Sequence, residues 1–340
     1  MVLKKEYNYI VKYWLTSLLI TLLLIVIVGG LTRLTDSGLS ITEWEVISGI
    51  LPPFNENEWI QVFDLYKKIP QFYLVNSAIT MEEFKIIYYW EYFHRLLGRF
   101  IGLLFLIPFV YFIVKKVFNV EYNIKFLILF ILILLQGFVG WYMVQSGLTE
   151  NTTVSHFRLA IHLNLALILF SSLSWYFFNF ITEKNKYFFY IDNKNNIFKI
   201  FVFLIFLQIT FGAFVSGLDA GQLYQTWPLM NESYFPDDVN LKKITVKTIF
   251  YDRSLIQFLH RNLAYFILLY GFIIMIYIYI KKLKELYIPF TIVFLFLGLQ
   301  ILLGIVTLIS GLNIVFASIH QVSTIFLLSS SIYLCHKSIN

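Results

Sequence analysis

Four histidines stand within long apolar stretches of this sequence, where ionisable side chains are rare: His94, His162, His260 and His320. An ionisable residue inside a membrane span costs about 3 kcal/mol and therefore suggests a functional site. Because imidazole is a common ligand of heme iron, copper and zinc, metal or cofactor binding is the first chemistry to consider. Two histidines at similar depth on different helices can hold a flat macrocycle in the core of a bundle.

Cysteine offers no further metal site, since Cys335 is the only one in 340 residues. A single thiol cannot form an intrachain disulfide, a cysteine-based zinc site or an iron–sulfur cluster. The histidines alone could still bind copper or zinc. However, Gly98 and Gly102, one and two turns from His94, leave room for a porphyrin plate. Helix packing is the alternative interpretation of these glycines.

Glu91 is a carboxylate close to one of these histidines. It precedes His94 by three residues and therefore shares its helix face. The matching position in the second half of the chain holds Gln257, so only one half has a carboxylate there. Such a carboxylate can exchange protons with, or orient, a water near a reacting carbon. This predicts a catalytic role for Glu91, with an ion pair to an arginine as the alternative.

Three arginines accompany the histidines along the helices: Arg95, Arg99 and Arg261. A guanidinium group near the membrane surface pairs well with a porphyrin propionate. The three are therefore candidate propionate contacts. For any single arginine, snorkelling to lipid headgroups is an equally good interpretation.

The elements that position these residues are predicted to be membrane-spanning helices. Hydrophobic residues make up 59% of the chain and charged residues only 14%, too few charges to cover a water-soluble fold. The net charge of +6 comes from 26 Lys and Arg against 20 Asp and Glu. Because the lysines lie between apolar stretches, we attribute them to retention of cytoplasmic loops and expect no nucleic-acid partner.

Eight apolar stretches are long enough to cross a bilayer, which takes about 20 helical residues. They cover approximately 13–31, 90–114, 125–146, 155–181, 198–217, 255–280, 287–310 and 314–335. The distribution of lysines in the connections places both termini in the cytoplasm. Loops 32–89 and 218–254 then lie outside, and the four histidines lie toward the external side.

Polar landmarks recur in the same order in both halves of the chain. His94 is matched by His260, His162 by His320, and Gln136 by Gln300. The sequence therefore predicts an all-α polytopic membrane protein built as two repeated four-helix bundles, related by an axis along the membrane normal. The bundles would cover 1–181 and 198–340, with a cytoplasmic linker at 182–197.

Several longer motifs together resemble the heme A synthase family over nearly the whole chain. They are Gly29–Ser40, Leu51–Phe54, Glu91–Arg99, Arg158–His162 and His320–Gln321. The resemblance implies an eight-helix enzyme of the bacterial plasma membrane or mitochondrial inner membrane that serves cytochrome oxidase assembly. Such enzymes oxidise the C8 methyl group of heme O to a formyl group. Two successive hydroxylations give a geminal diol, which loses water to leave heme A.

The same resemblance implies roles for individual residues. His260 and His320 would be the axial ligands of a resident heme b, and His94 and His162 would hold the iron of the substrate heme O. Glu91 would be the catalytic carboxylate. Some family members carry a cysteine pair in the first external loop, but residues 32–89 contain no cysteine. The chain therefore resembles the cysteine-free class, typical of alphaproteobacteria and mitochondria.

Partners follow from the same interpretation. Heme O synthase, a protoheme farnesyltransferase, would supply the substrate, and membrane lipid would surround the helices. The sequence contains no nucleotide-binding loop to receive electrons, so a quinone or another acceptor is expected. The heme sites would lie toward the periplasm. The rival function is a non-enzymatic diheme b-type electron-transfer subunit, which would leave Glu91 without a chemical role.

Overall fold

A computed structural model describes residues 5–44, 48–149, 151–189, 196–240, 242 and 244–339. This part of the chain is nearly all helical. Its α-helices are α1 (Asn8–Leu34), α2 (Glu56–Tyr66), α3 (Pro70–Leu74), α4 (Met81–Val114), α5 (Val120–Gln145), α6 (His156–Thr182), α7 (Asn196–Gly217), α8 (Val246–Ile249), α9 (Arg253–Ile280), α10 (Tyr287–Ile309) and α11 (Ile314–Ser338).

Eight helices within the described ranges are long and apolar enough to cross a membrane: α1, α4, α5, α6, α7, α9, α10 and α11. Large apolar side chains on them are exposed, such as Leu103 at 56% and Leu134 at 58%. Helices of this kind are stable in lipid because all their backbone hydrogen bonds are internal. The predicted all-α polytopic fold with eight spans is confirmed, and the chain is a multi-pass membrane protein.

The chain divides into two compact units, Met1–Leu169 and Phe170–Asn340. The division falls inside α6, which contributes its first half to unit 1 and its second half to unit 2. The two four-helix repeats at 1–181 and 198–340, and the cytoplasmic termini, stay predictions. Of the linker predicted at 182–197, residues 190–195 lie outside the described residues.

Unit 1 is organised by packing of α1 and α5 against α4. Trp14 of α1 inserts between Phe105, Phe112 and Phe126, with ring centroids 5.1–5.3 Å away. Its indole Nε1 donates a hydrogen bond to the carbonyl of Leu104 at 2.9 Å, which satisfies the polar end of a buried aromatic ring. These contacts fix α1 beside the helix that carries Glu91 and His94.

The connection between α1 and α4 is shorter than the loop predicted at 32–89. Helix α4 begins at Met81 because Thr80 and Glu83 form a capping box, in which each side chain satisfies an otherwise unpaired backbone donor. The added turns are amphipathic, so a search for apolar stretches misses them. Their apolar side packs against α2 in a cluster that includes Trp59, Phe63 and Tyr88.

Unit 2 is built from packing of α7 against α9 and α11, and of α10 against α11. At one end, the ring of His336 is buried beside Trp175, and its Nε2 lies 2.9 Å from Oδ1 of Asn179.

The connection between α7 and α9 is held by Asp238. Its carboxylate accepts hydrogen bonds from the hydroxyls of Tyr224 and Ser254, each at 2.6 Å. Burial and the bond to Asp238 raise the pKa of Tyr224.

Candidate functional site

Each of the four intramembrane histidines packs against a glycine on a neighbouring helix. The pairs are His94 with Gly29, His162 with Gly140, His260 with Gly212, and His320 with Gly304. A Cβ atom added to any of these glycines would lie 2.8–3.2 Å from the imidazole ring. At Gly29 and Gly140 the ring would have to move to admit a Cβ, and at Gly212 and Gly304 it would have to give by a few tenths of an ångström, so a side chain larger than alanine would displace it.

In unit 1 the structure brings His94 and His162 together. Their ring centroids lie 6.3 Å apart, with an angle of 78° between the ring planes. With metal–imidazole bonds of about 2 Å on each side, two ring centroids lie about 6 Å apart. The separation therefore fits one metal ion held between the two rings. The neutral imidazoles also have the chemistry of axial heme ligands.

In unit 2, His260 faces Gly212 and His320 faces Gly304. The two histidines occupy α9 and α11, as the pair of unit 1 occupies α4 and α6. Within the described residues no cluster of three or more His, Cys, Asp or Glu side chains could hold a metal ion. Ligation of a heme iron by each pair of histidines stays a prediction.

Glu91 is buried, 3% exposed, and both its carboxylate oxygens are hydrogen-bonded. Oε2 accepts from the hydroxyl of Ser40 at 2.8 Å and from the backbone N–H of Ile41 at 2.9 Å. Oε1 accepts from Nε and Nη2 of Arg95 at 3.0 and 2.6 Å. Charge-assisted bonds of this kind stabilise an ionised carboxylate away from water. The ion pair that was the alternative interpretation of Glu91 is therefore present.

Arg95 connects Glu91 to the loop above it. Its Nη2 also donates to the carbonyl of Ile41 at 2.8 Å, and its Nη1 to that of Glu43 at 3.3 Å. The guanidinium lies over the ring of Trp44 at 4.7 Å, a favourable cation–π contact. Arg95 thus positions the carboxylate and the loop. A contact to a propionate stays a prediction for it, as it does for Arg99, whose Nη1 donates to the carbonyl of Arg95.

The corresponding place in unit 2 has an amide in place of the carboxylate. Gln257 is buried and its Nε2 donates to the carbonyl of Tyr224 at 2.8 Å, which also accepts from Nη2 of Arg261 at 2.8 Å. Arg261 further donates from Nη1 to the carbonyl of Leu229. The two units therefore share an arginine-to-loop contact. An amide has no basic oxygen comparable to a carboxylate, so only unit 1 offers a proton acceptor here.

A cavity of about 290 Å³ lies beside the Glu91–Arg95 ion pair. Its lining includes Ser40, Tyr88, Tyr92, Arg95 and Arg99. A water molecule occupies about 30 Å³ in the liquid, so the cavity can hold several. Polar side chains surround it, and water there would lie next to the groups that hold Glu91.

Comparison with known proteins identifies the chain's relatives. The family model of the cytochrome oxidase assembly proteins matches residues 12–332. A heme A synthase of Pelagibacter ubique is 49% identical over 339 residues, which is 98% of this chain and 98% of that protein. The chain belongs to the heme A synthase family. A heme A synthase of Wolbachia pipientis is 41% identical over 96% of this chain and 92% of that protein. A heme A synthase of Flavobacterium johnsoniae is 37% identical over 98% of this chain and 99% of that protein.

Family membership confirms the resemblance carried by the sequence motifs. The sequence motifs do not predict two sets of contacts in the site. The first joins the loop residues Ser40 and Ile41 to Glu91, and the second joins three glutamines to the histidines. Gln136 and Gln300 recur across the halves of the chain, and this recurrence was the available signal. The contacts themselves cross between helices, which no local pattern reveals.

Proposed function

We propose that this chain is a heme A synthase, an oxidoreductase that converts the C8 methyl group of heme O to a formyl group. Two successive hydroxylations would produce a geminal diol, and loss of water would leave the formyl group of heme A. The observation that carries the proposal is the buried, fully hydrogen-bonded Glu91 beside the His94–His162 pair. The absence of a carboxylate at Gln257 supports one catalytic half rather than two equivalent electron-transfer halves.

The two histidine pairs would have different roles. His94 and His162 would hold the iron of the substrate heme O in unit 1. His260 and His320 would be the axial ligands of a resident heme b, which supplies one-electron transfer when bound. We propose that water supplies the oxygen in both hydroxylations, and that a quinone or another membrane acceptor takes up the four electrons released while four protons leave to water.

Glu91 is placed to manage the protons of this reaction. Arg95 bonds the carboxylate at Oε1, while Oε2 accepts from the hydroxyl of Ser40. By exchanging its bond to Ser40 for a bond to a water or to a hydroxyl on the reacting carbon, Oε2 would orient that group and take its proton. The adjoining cavity would hold the water that the reaction exchanges.

The membrane setting completes the proposal. The four histidines would lie toward the periplasmic side of a bacterial plasma membrane, with both termini in the cytoplasm. Heme O would arrive from heme O synthase, because a farnesylated macrocycle is poorly soluble in water.

Expression in a host that makes heme O but no heme A tests the proposed reaction directly. Hemes extracted from the membranes and separated by chromatography with mass detection should then include heme A. A host that accumulates the folded protein yet yields only heme b and heme O would show the proposal to be wrong.

Ser40→Ala is expected to slow heme A formation about tenfold, since a hydrogen bond to a charged group contributes about 1.5–3 kcal/mol. The rate of heme O conversion in membranes measures the effect. Ser37→Ala is the matched control, because Ser37 is equally buried in the same loop but bonds to Thr35. Equal rates in the two variants would contradict the role of Ser40.

Gly212→Val is expected to lower the bound heme b about tenfold or more, because valine would displace His260 and a displaced ligand binds metal poorly. The reduced-minus-oxidised spectrum of the purified protein measures the heme b content. Gly298→Val is the control, since a Cβ at Gly298 meets no atom within 4 Å. Retention of heme b in both variants would disagree with the proposed packing.

A further inference from the structure

Glutamine side chains contact three of the four intramembrane histidines. Nε2 of Gln136, Gln208 and Gln300 donates to the backbone carbonyl of His162, His260 and His320 respectively, each at 3.0 Å. Nε2 of Gln136 and Gln208 also lies 3.2 Å from Nδ1 of the same histidine. Each glutamine therefore bonds the helix turn that carries the histidine, and two of them touch the ring itself.

The fourth histidine lacks this partner. Each glutamine precedes by four residues the glycine that contacts the ring, as Gln136 precedes Gly140. The same position before Gly29 holds Ile25, whose side chain cannot form a hydrogen bond. Within the part of the chain that the structure describes, no hydrogen bond to the imidazole of His94 is found, and Nδ1 of His320 is buried without one as well; His94 differs from His320 in that no glutamine bonds its backbone carbonyl.

The ring of His94 is also turned differently. At Gly140, Gly212 and Gly304 the ring atom closest to the glycine is Cε1, whereas at Gly29 it is Nε2 of His94, only 2.8 Å from the Cβ position. This difference corresponds to a 180° rotation of the His94 ring about its Cβ–Cγ bond, which exchanges Nε2 with Cε1. The other three rings share a common orientation.

Buried oxygens suggest what the glutamines do. Oε1 of Gln136 and of Gln208 is buried without a hydrogen-bond partner in the described structure. A metal-bound histidine almost always donates its second ring N–H to an acceptor, which fixes the ring and strengthens the ligand. In Gln136 and Gln208 the amide nitrogen lies 3.2 Å from Nδ1, so a rotation of the amide group would bring its oxygen to the ring as that acceptor. Isoleucine at position 25 offers His94 no such oxygen.

We propose that Gln136, Gln208 and Gln300 are positioning residues that secure three histidines as firm heme ligands, and that His94 is the weak ligand of unit 1, displaced when another molecule binds the iron. The inference rests on the proposed function, in which the four histidines bind hemes. It places the exchangeable position of the substrate heme on the side of α4, the helix that carries Glu91. Only one of four axial positions would then be open to small molecules.

Carbon monoxide tests this inference in the whole purified protein, reduced and without oxygen. Protein from a host without heme O carries resident heme b alone and provides the baseline. Loading with heme O should add CO binding, detected as a difference spectrum. Ile25→Gln should weaken the affinity for CO about three- to tenfold, the effect of one additional hydrogen bond on the competing ligand. Leu24→Gln is the control, since Leu24 is 46% exposed to the lipid side and should leave CO affinity unchanged.

The converse variant acts in unit 2. Gln208→Leu removes both the bond to the His260 carbonyl and the nearby oxygen at similar volume, so heme b should acquire CO binding that the wild type lacks. Heme content and the absorption spectrum verify that each variant is folded and loaded.

Any of three results would overturn the inference. The first is heme O-loaded wild type that binds no more CO than the baseline, the second is equal CO affinity in Ile25→Gln and Leu24→Gln, and the third is heme b that stays unreactive in Gln208→Leu. If instead the wild type retains no heme O and makes no heme A, the proposed function has failed as well. Failure of the proposed function is distinguishable from failure of this inference, because the three CO results above are measured on protein shown to contain heme O or heme b.

Discussion

Glu91→Gln is expected to lower heme A formation at least about hundredfold while heme b binding persists, because general acid–base groups contribute about 10²–10⁴ to rate. Glutamine keeps the size of the side chain and an oxygen that can accept from Ser40 and Ile41. It loses the charge that Arg95 pairs with and the capacity to take a proton. The amount of heme A relative to heme O in extracted membranes measures the loss, and the absorption spectrum of the purified protein reports heme b.

Two variants make this result specific. Glu82→Gln removes a carboxylate from the same helix, but that carboxylate is exposed and pairs with Lys85, so heme A formation should stay normal. Gln257→Glu places a carboxylate at the matching position in unit 2 and should not restore activity to Glu91→Gln. Normal heme A formation by Glu91→Gln itself would remove the carboxylate from the mechanism.

His260→Ala is expected to lower the resident heme b content about tenfold or more, since even partners of a ligand change metal affinity about 10–100-fold. His320→Ala should do the same, because one remaining imidazole cannot keep a six-coordinate low-spin iron. His94→Ala should instead leave the heme b spectrum intact. Pyridine hemochrome analysis gives the heme content, and the reduced spectrum shows the coordination state.

His336→Gln is the control for this loss, because His336 is a buried histidine of the same unit that bonds to Asn179 rather than facing a glycine of another helix. Glutamine can keep that hydrogen bond, so the fold and heme b content should be retained. If heme b remains bound in both His260→Ala and His320→Ala, these histidines are not its ligands.

Much of the fold could be predicted from the sequence because the signals are local. A stretch of about 20 apolar residues determines a span wherever it occurs, and His94 or His320 within such a stretch is conspicuous. Glu91 was identified in the same way, from its spacing to His94 on one helix. Even the start of α4 at Met81 could have been read from the capping residues Thr80 and Glu83.

The immediate surroundings of the site could not be predicted in this way. Ser40 and Ile41 reach Glu91 from about 50 residues earlier in the chain, and their contact depends on how the α1–α4 loop packs against α2. Arg95 was expected to bind a propionate because the sequence shows its neighbour His94, whereas its closest partner is one turn back on the same helix. The interhelical contact of Gln208 with His260 likewise exists only once α7 and α9 pack.

The contact between glycine and histidine suggests a smaller unit of construction than a four-helix bundle. Each glycine lies five residues before the end of its helix, and the histidine that it contacts lies on the next long helix: Gly29 in α1, Gly140 in α5, Gly212 in α7 and Gly304 in α10. The same helical hairpin therefore occurs four times among the described residues, each copy with one histidine and one glycine that faces it. Under the proposed function each hairpin would supply one histidine, so two hairpins would be needed to hold one heme. The residue four positions before the glycine is isoleucine in the first copy and glutamine in the other three, so the first hairpin is not equivalent to the others.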